Sequence, residues 1–178
     1  FHEISDDVFK KIKSDSNFLF VDPQGFLRQK DSNGNVILKK TDLDLSDVNA
    51  IKINPEEGQN IVSGSHDEMM LALQKKGIEY VLLTNKVDVS LLVKNRVYSL
   101  KLPNKTVHDT TGIGDIFCSA FTCTMLKEKD FLWALCFAAG SAQAALESNN
   151  VGLQKIPKKG MVENNASYFY NLVDFRDL

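Results

Sequence analysis

Arginine is scarce in this chain. Of 178 residues only Arg28, Arg96 and Arg176 carry a guanidinium, which leaves few bidentate clamps for phosphate. An excess of either charge is also missing: 21 basic and 23 acidic side chains give a formal net charge of −2 at pH 7. That balance offers no electrostatic footprint for nucleic acid or an anionic membrane. Three cysteines, Cys118, Cys123 and Cys136, cannot all pair and show no Cys-x-x-Cys spacing. They read as buried reduced thiols and imply a reducing, cytoplasmic compartment. No hydrophobic run reaches the roughly 20 residues that span a bilayer. The longest uncharged stretch near the C-terminus, Phe131–Leu146, has 16 residues and reads as a buried helix. There is no internal repeat, no low-complexity linker and no signal-peptide pattern. The first residue is Phe1 and the first methionine Met69, so the chain reads as processed or excerpted.

What is present suits a globular protein. The chain is 43% hydrophobic and 25% charged, enough to bury a core in one domain or two small ones. Val8–Lys13 predicts the end of a short helix, and Phe18–Asp22 a buried strand closed by Asp-Pro. Phe26–Lys30 and Val36–Lys40 predict a hairpin, with Asn33-Gly34 suited to a type I′ turn. The same turn does not fit a calcium loop, since its Gly is misplaced and no Glu closes it. Ala50–Ile53 predicts a strand, Ser65 and Glu68 a capping box opening a helix to Lys76-Gly77, and Glu79–Thr84 a buried strand. Val87–Val93 and Val97–Leu102 predict strands turning at Asn95. Two apolar helices follow at about 114–126 and 130–148, and an amphipathic one at Val162–Val173. Asn104-Lys-Thr106 and Asn165-Ala-Ser167 match glycosylation acceptors by chance. The order of elements predicts an α/β layer fold with a largely parallel sheet, which puts ligands outside the carboxyl ends of its strands.

Asp109-Thr-Thr-Gly-Ile-Gly-Asp115, just before an apolar helix, is the stretch that carries chemistry. Gly112 and Gly114 permit a tight turn. The amides of Gly112, Ile113 and Gly114, with the first helical turn, lack intrahelical partners and sit at the positive end of the helix dipole, so they suit an anion. Asp115 either occupies that anion position itself or serves as a base beside it. In the plainer reading it only caps the helix. No Gly-Lys-Ser/Thr follows, and a dinucleotide fingerprint would need Gly where Phe117 stands, so neither phosphate motif applies.

This stretch, followed by Ile-Phe-Cys-Ser-Ala-Phe, resembles the C-terminal signature of the ribokinase-like (PfkB) carbohydrate kinases. Phe18–Arg28, Asn54-Pro-Glu-Glu57, the Ala-rich helix ending near Gly152 and Ile156-Pro157 match further motifs in the right order, so the resemblance spans essentially the whole chain. It implies a ribokinase-like layered fold with a largely parallel sheet flanked by helices. Residues 1–178 would be the C-terminal portion of a single kinase domain, without the N-terminal part and lid. It also implies ATP-dependent phosphoryl transfer to a hydroxyl of a sugar or nucleoside, with a homodimeric parent protein. Carried over by position, the resemblance implies Asp115 as the general base and the amides of Gly112, Ile113 and Gly114 as the anion hole. It likewise implies that Asn54 and Glu57 order Mg²⁺ through water, that Thr84 lies at the nucleotide, and that Asp109 and Thr111 hold a monovalent cation, K⁺.

Three departures follow. Ile113 stands where relatives have Ala. The family's Thr-x-Gly-x-x-Gly is Thr84-Asn-Lys-Val-Asp-Val89, so Lys86 and Val89 replace both glycines. Lys86 then reads as a solvated surface lysine or as a charge offered to the phosphates. The upstream acceptor-binding part is absent, so the isolated chain is expected to have little or no kinase activity while the parent is a kinase. The rival reading is a non-catalytic relative that binds a nucleotide or metabolite, or packs with a partner. His108 reads as a structural loop histidine and Glu56 as a solvated helix-start carboxylate. Asp22 and Arg28 read as a scaffold ion pair or as substrate contacts.

Overall fold

The structure, a computed structural model, describes residues 4–103, 109–148 and 150–178. Contacts divide the chain into two compact units, Phe1–Asn85 with Ser90–Val97 and Asp177–Leu178, and Lys86–Val89 with Tyr98–Arg176. Six strands form one sheet in the order β1 (Phe20–Val21), β4 (Ala50–Ile53), β5 (Tyr80–Asn85), β6 (Asp88–Val93), β7 (Arg96–Lys101) and β8 (Asp174–Asp177). β4 pairs parallel with both β1 and β5. The expected α/β fold is what the chain adopts, with a mixed sheet whose core, β1-β4-β5, is parallel.

In the first unit, helices α1 (Asp6–Asp15), α3 (Pro55–Ile61) and α4 (His66–Lys75) accompany the parallel strands. Every residue of β4 is buried, as an apolar strand covered on both faces must be. Ile51, Ile53, Met70, Leu73, Val81 and Leu83 share one core cluster. Ser65 accepts from the Glu68 amide and Glu68 reaches back to the Ser65 amide, so the expected capping box opens α4.

The hairpin β2 (Arg28–Lys30) and β3 (Val36–Leu38) forms, but its turn differs from the expected type I′. Only Gly34 has positive φ (+83°). The Asp31 carboxylate accepts from the Asn33 and Asn35 amides, and Gly34 donates to the Asp31 carbonyl. Asp31 therefore builds a five-residue loop from its own side chain, which outcompetes the two-residue turn. The turn with two positive φ values is Lys94-Asn95 (+47° and +64°), between β6 and β7. Phe26 and Leu27 lie in a short helix, α2 (Gln24–Leu27), rather than in the strand expected from Phe26.

In the second unit, α5 (Ile113–Glu128), α6 (Phe131–Leu146) and α7 (Lys159–Tyr170) pack together. α6 is the 16-residue uncharged stretch, opened by Asp130, whose carboxylate accepts from the Leu132 and Trp133 amides. Gly140 lets α7 approach closely: a Cβ there would lie 2.9 Å from Ala166 N and Val162 O. α7 starts three residues before the expected Val162 and ends at Tyr170, since Asp174–Asp177 is a strand. Of the three thiols only Cys136 is buried, and burial pushes it up to about 12; Cys118 is half-buried and Cys123 exposed, which corrects the expectation of three buried thiols. Among the described residues no helix is long and apolar enough to cross a membrane.

Candidate functional site

In the first unit the chemistry gathers at the carboxyl end of β4. Strand β4 ends at Ile53, and Asn54 turns the chain into α3 with Pro55 at its first position, where a missing N–H costs nothing. Asn54 Oδ1 accepts from the Glu57 amide at 2.8 Å, and Glu57 Oε2 accepts from the Asn54 amide at 2.9 Å. Gln24 Nε2 donates to Glu57 Oε1 at 3.3 Å. Glu57 is 1% exposed, and burial raises its pKa above the ordinary carboxylate value against the lowering effect of the Asn54 amide and Lys52. Lys52, inside the buried strand, is 8% exposed and pairs with Asp22 Oδ2 at 2.6 Å. Asp22 thus takes Lys52 as its partner, while exposed Arg28 lines a cavity of about 500 Å³ with Asn54, Glu56, Glu57 and Asn60. Asn54 Oδ1 and Glu57 Oε2 each accept a hydrogen bond within the cap, so a metal touching them directly would compete with it. The arrangement suits a contact through ordered water. Among the described residues no group of three or more His, Cys, Asp or Glu could hold a metal ion.

The second unit carries the Asp109–Asp115 turn. Gly112 is the N-cap of α5, with φ +77° and ψ −2°, a left-handed conformation that glycine adopts without Cβ strain. No side chain caps the helix. The Ile113 amide donates to the Thr110 carbonyl at 3.2 Å. The Gly112 and Gly114 amides have no partner among the described residues. Asp115 lies exposed in the first helical turn, and its carboxylate makes no hydrogen bond or ion pair among the described residues. The carboxylate is therefore not the helix cap of the plainer reading.

Upstream, the turn is tied down. Asp109 Oδ1 accepts from the Thr111 amide at 2.9 Å and Oδ2 from Lys155 Nζ at 3.0 Å. Lys155 also donates to the carbonyls of Asp109 (2.8 Å) and Thr111 (3.2 Å). Hydrogen bonds from Thr111, then from Lys155, lower the Asp109 carboxyl to about 2. The oxygens of Asp109 and Thr111 that were expected to hold a monovalent cation therefore already surround an ammonium, and they do not fit a second cation. Asp109, Thr111, Gly112, Asp115 and Lys155 line a cavity of about 710 Å³, walled largely by apolar side chains such as Phe137, Ile156 and Val162. That volume falls in the range of small-molecule sites, about 300–1,000 Å³.

Thr84 is half-buried near the end of β5. Of the residues at the two family glycine positions, Lys86 is exposed with φ +46°, so a lysine adopts a glycine-like conformation there. Val89 is 3% exposed. His108 and Asn104-Lys-Thr106 lie outside the described residues. Asn54 and Glu57 are brought together in the first unit, and Asp109, Thr111, Gly112 and Asp115 in the second. Sequence reasoning missed two buried lysines. Lys52 left a signal, a charge inside an otherwise apolar buried strand; Lys155, three residues after Gly152, left none.

A sequence model of the pfkB family of carbohydrate kinases matches residues 26–159, most of the chain. No curated protein matches in sequence. Among solved structures, a pyrophosphate-dependent kinase in the ribokinase family superposes with a TM-score of 0.77 at 19% identity, covering 92% of this chain and 57% of that one. Ribokinase from Thermotoga maritima gives 0.74 at 17% identity, covering 93% and 55%. Ribokinase from Arabidopsis thaliana, complexed with ribose and ATP, gives 0.65 at 20% identity, covering 89% and 50%. The chain thus spans less than two thirds of these proteins and shares their fold. It belongs to the pfkB carbohydrate kinase family.

Proposed function

From that membership we infer that this chain is the phosphoryl-transfer portion of a single ribokinase-like domain, and that the whole protein moves the γ-phosphoryl group of ATP to a hydroxyl of a sugar or related small molecule. One observation carries the reading: α5 starts without a side-chain cap, with Gly112 left-handed, and Gly112 and Asp115 line a cavity of small-molecule size. Asp115 takes the proton of the acceptor hydroxyl. The resulting oxygen forms its bond to the γ-phosphorus as the bond to the bridging oxygen breaks, and ADP leaves. The amides of Gly112 and Gly114 stabilise charge on the transferring group; the Ile113 amide, expected to join them, is already given to the Thr110 carbonyl. A positioned base contributes about 10²–10⁴-fold, and one lost oxyanion donor costs about 3–4 kcal/mol. Mg²⁺, when bound, neutralises phosphate charge, and Asn54 and Glu57 orient its waters. Thr84 borders the nucleotide.

The second reading, a non-catalytic relative that binds a nucleotide or metabolite, is favoured by one observation. Lys86 and buried Val89 occupy the glycine positions of the nucleotide loop. The test assays the whole protein with Mg-ATP, and with pyrophosphate as second donor, against sugars, nucleosides and myo-inositol. Phosphoryl transfer above the uncatalysed rate is expected for at least one acceptor. Saturable ATP binding without transfer to any acceptor supports the second reading instead.

A further inference from the structure

Lys155 is 4% exposed, and its three N–H donors meet three oxygens: the Asp109 carbonyl (2.8 Å), the Asp109 carboxylate (3.0 Å) and the Thr111 carbonyl (3.2 Å). All three acceptors belong to the turn that leads into Gly112. An ammonium group and K⁺ are similar in size and charge, and both take carbonyl and carboxylate oxygens. A free cation seeking these oxygens would meet the like charge of Lys155, itself 4% exposed, at contact distance. The turn itself supplies the one carboxylate, so the cage is already neutral.

We propose that the Lys155 ammonium is a built-in monovalent cation, which holds the Asp109–Thr111 turn and makes the chain independent of K⁺. Lys155 is a positioning residue, acting through the turn on Gly112 and the start of α5. It reaches its ligands from the segment Gly152–Lys155, a short 3-10 turn, so one side chain ties the loop before α5 to the loop before α7. The cation claim stands on this geometry. Its consequence for phosphoryl transfer rests on the kinase reading.

The experiment measures the thermal unfolding midpoint of the purified protein in KCl, NaCl and choline chloride at equal ionic strength. Wild type is expected to unfold at the same temperature in all three. A midpoint raised selectively by K⁺ overturns the proposal. Lys155→Ala is expected to lose about 5 °C or more in choline chloride, and to regain part of it selectively with K⁺ or NH₄⁺. A purely structural lysine would give the same loss without that selective recovery, and a folded Lys155→Ala protein indifferent to both cations also overturns the proposal. If Lys155→Ala does not fold, the wild-type comparison decides alone. Turnover adds a second readout, equal in K⁺ and Na⁺ for wild type and K⁺-dependent for Lys155→Ala. That readout vanishes if the kinase reading fails, whereas the unfolding readout does not.

Discussion

The starts of α3 and α5 face the same physical problem in opposite ways. Each leaves backbone amides without intrahelical partners. At α3 the chain satisfies its own donors, with Asn54 and Glu57 exchanging side chain for backbone in a closed box. At α5 the N-cap is Gly112, which has no side chain to offer, and Asp115 stays in solvent. Both sites stand on a buried lysine paired with an aspartate, Lys52 with Asp22 and Lys155 with Asp109. The scaffolding is alike, and the difference lies in who satisfies the helix end. On the proposed reading the closed start serves stability and contact through water, and the open one offers its donors to a phosphate. Substitutions at α5 should therefore change chemistry with little effect on stability, and those near α3 the reverse.

The largest expected effect is at the open site. Asp115→Asn should lower turnover of the whole protein by about 10²–10⁴-fold while ATP affinity stays within about twofold. Steady-state kinetics with equilibrium ATP titration checks both, and a proportionate loss of affinity would blur the contrast. Next, Lys52→Met leaves Asp22 without its partner beside buried Glu57. It should cost about 2–3 kcal/mol by denaturant unfolding, less than the ~3–5 kcal/mol of a fully buried pair because the Asp22 side chain keeps 25% exposure. An unchanged midpoint would remove Lys52 from the scaffold.

The two carboxylates should respond to acid with opposite signs. Asp109 is held at about 2, below its ordinary 3.8, so its contribution is complete above about pH 4 and lost as pH falls through about 2. The stability difference between wild type and Asp109→Asn should shrink across that window. The Glu57 carboxyl is raised by burial, so its contribution is complete in acid and lost as pH rises through its folded value. Glu57→Gln should match wild type at low pH and gain on it towards neutrality. Unfolding midpoints across pH 2–7 test both. The smallest effect belongs to Lys86, exposed at φ +46°. Lys86→Gly relieves left-handed strain at the cost of chain entropy and should raise stability by about 0.5 kcal/mol.

Much of this was legible in the sequence, and the exceptions have physical causes. Elements with strong local signals appeared as read: the Ser65–Glu68 box, the β4 strand, the apolar α6. The Asn33-Gly34 turn misled because Asp31, two residues earlier, captured the amides. Asp109–Asp115 announced a tight, anion-suited turn through its glycines; Gly112 takes a positive φ there, whereas Gly114 lies within the first turn of α5. Lys155 was invisible because its partners lie 44 and 46 residues away. No local pattern marks a lysine that will be buried by distant carbonyls, whereas Lys52 broke an apolar strand in plain view.

The proposed function makes the start of α5 an open anion site and the start of α3 a closed one. Amide chemical shifts, followed by NMR while Mg-ATP or pyrophosphate is added, test it most directly. Saturable shifts are expected at the Gly112 and Gly114 amides, with the Asn54 and Glu57 amides retaining their hydrogen-bonded positions. Unmoved glycine amides at saturating ligand, or an anion that opens the Asn54–Glu57 box first, would contradict it.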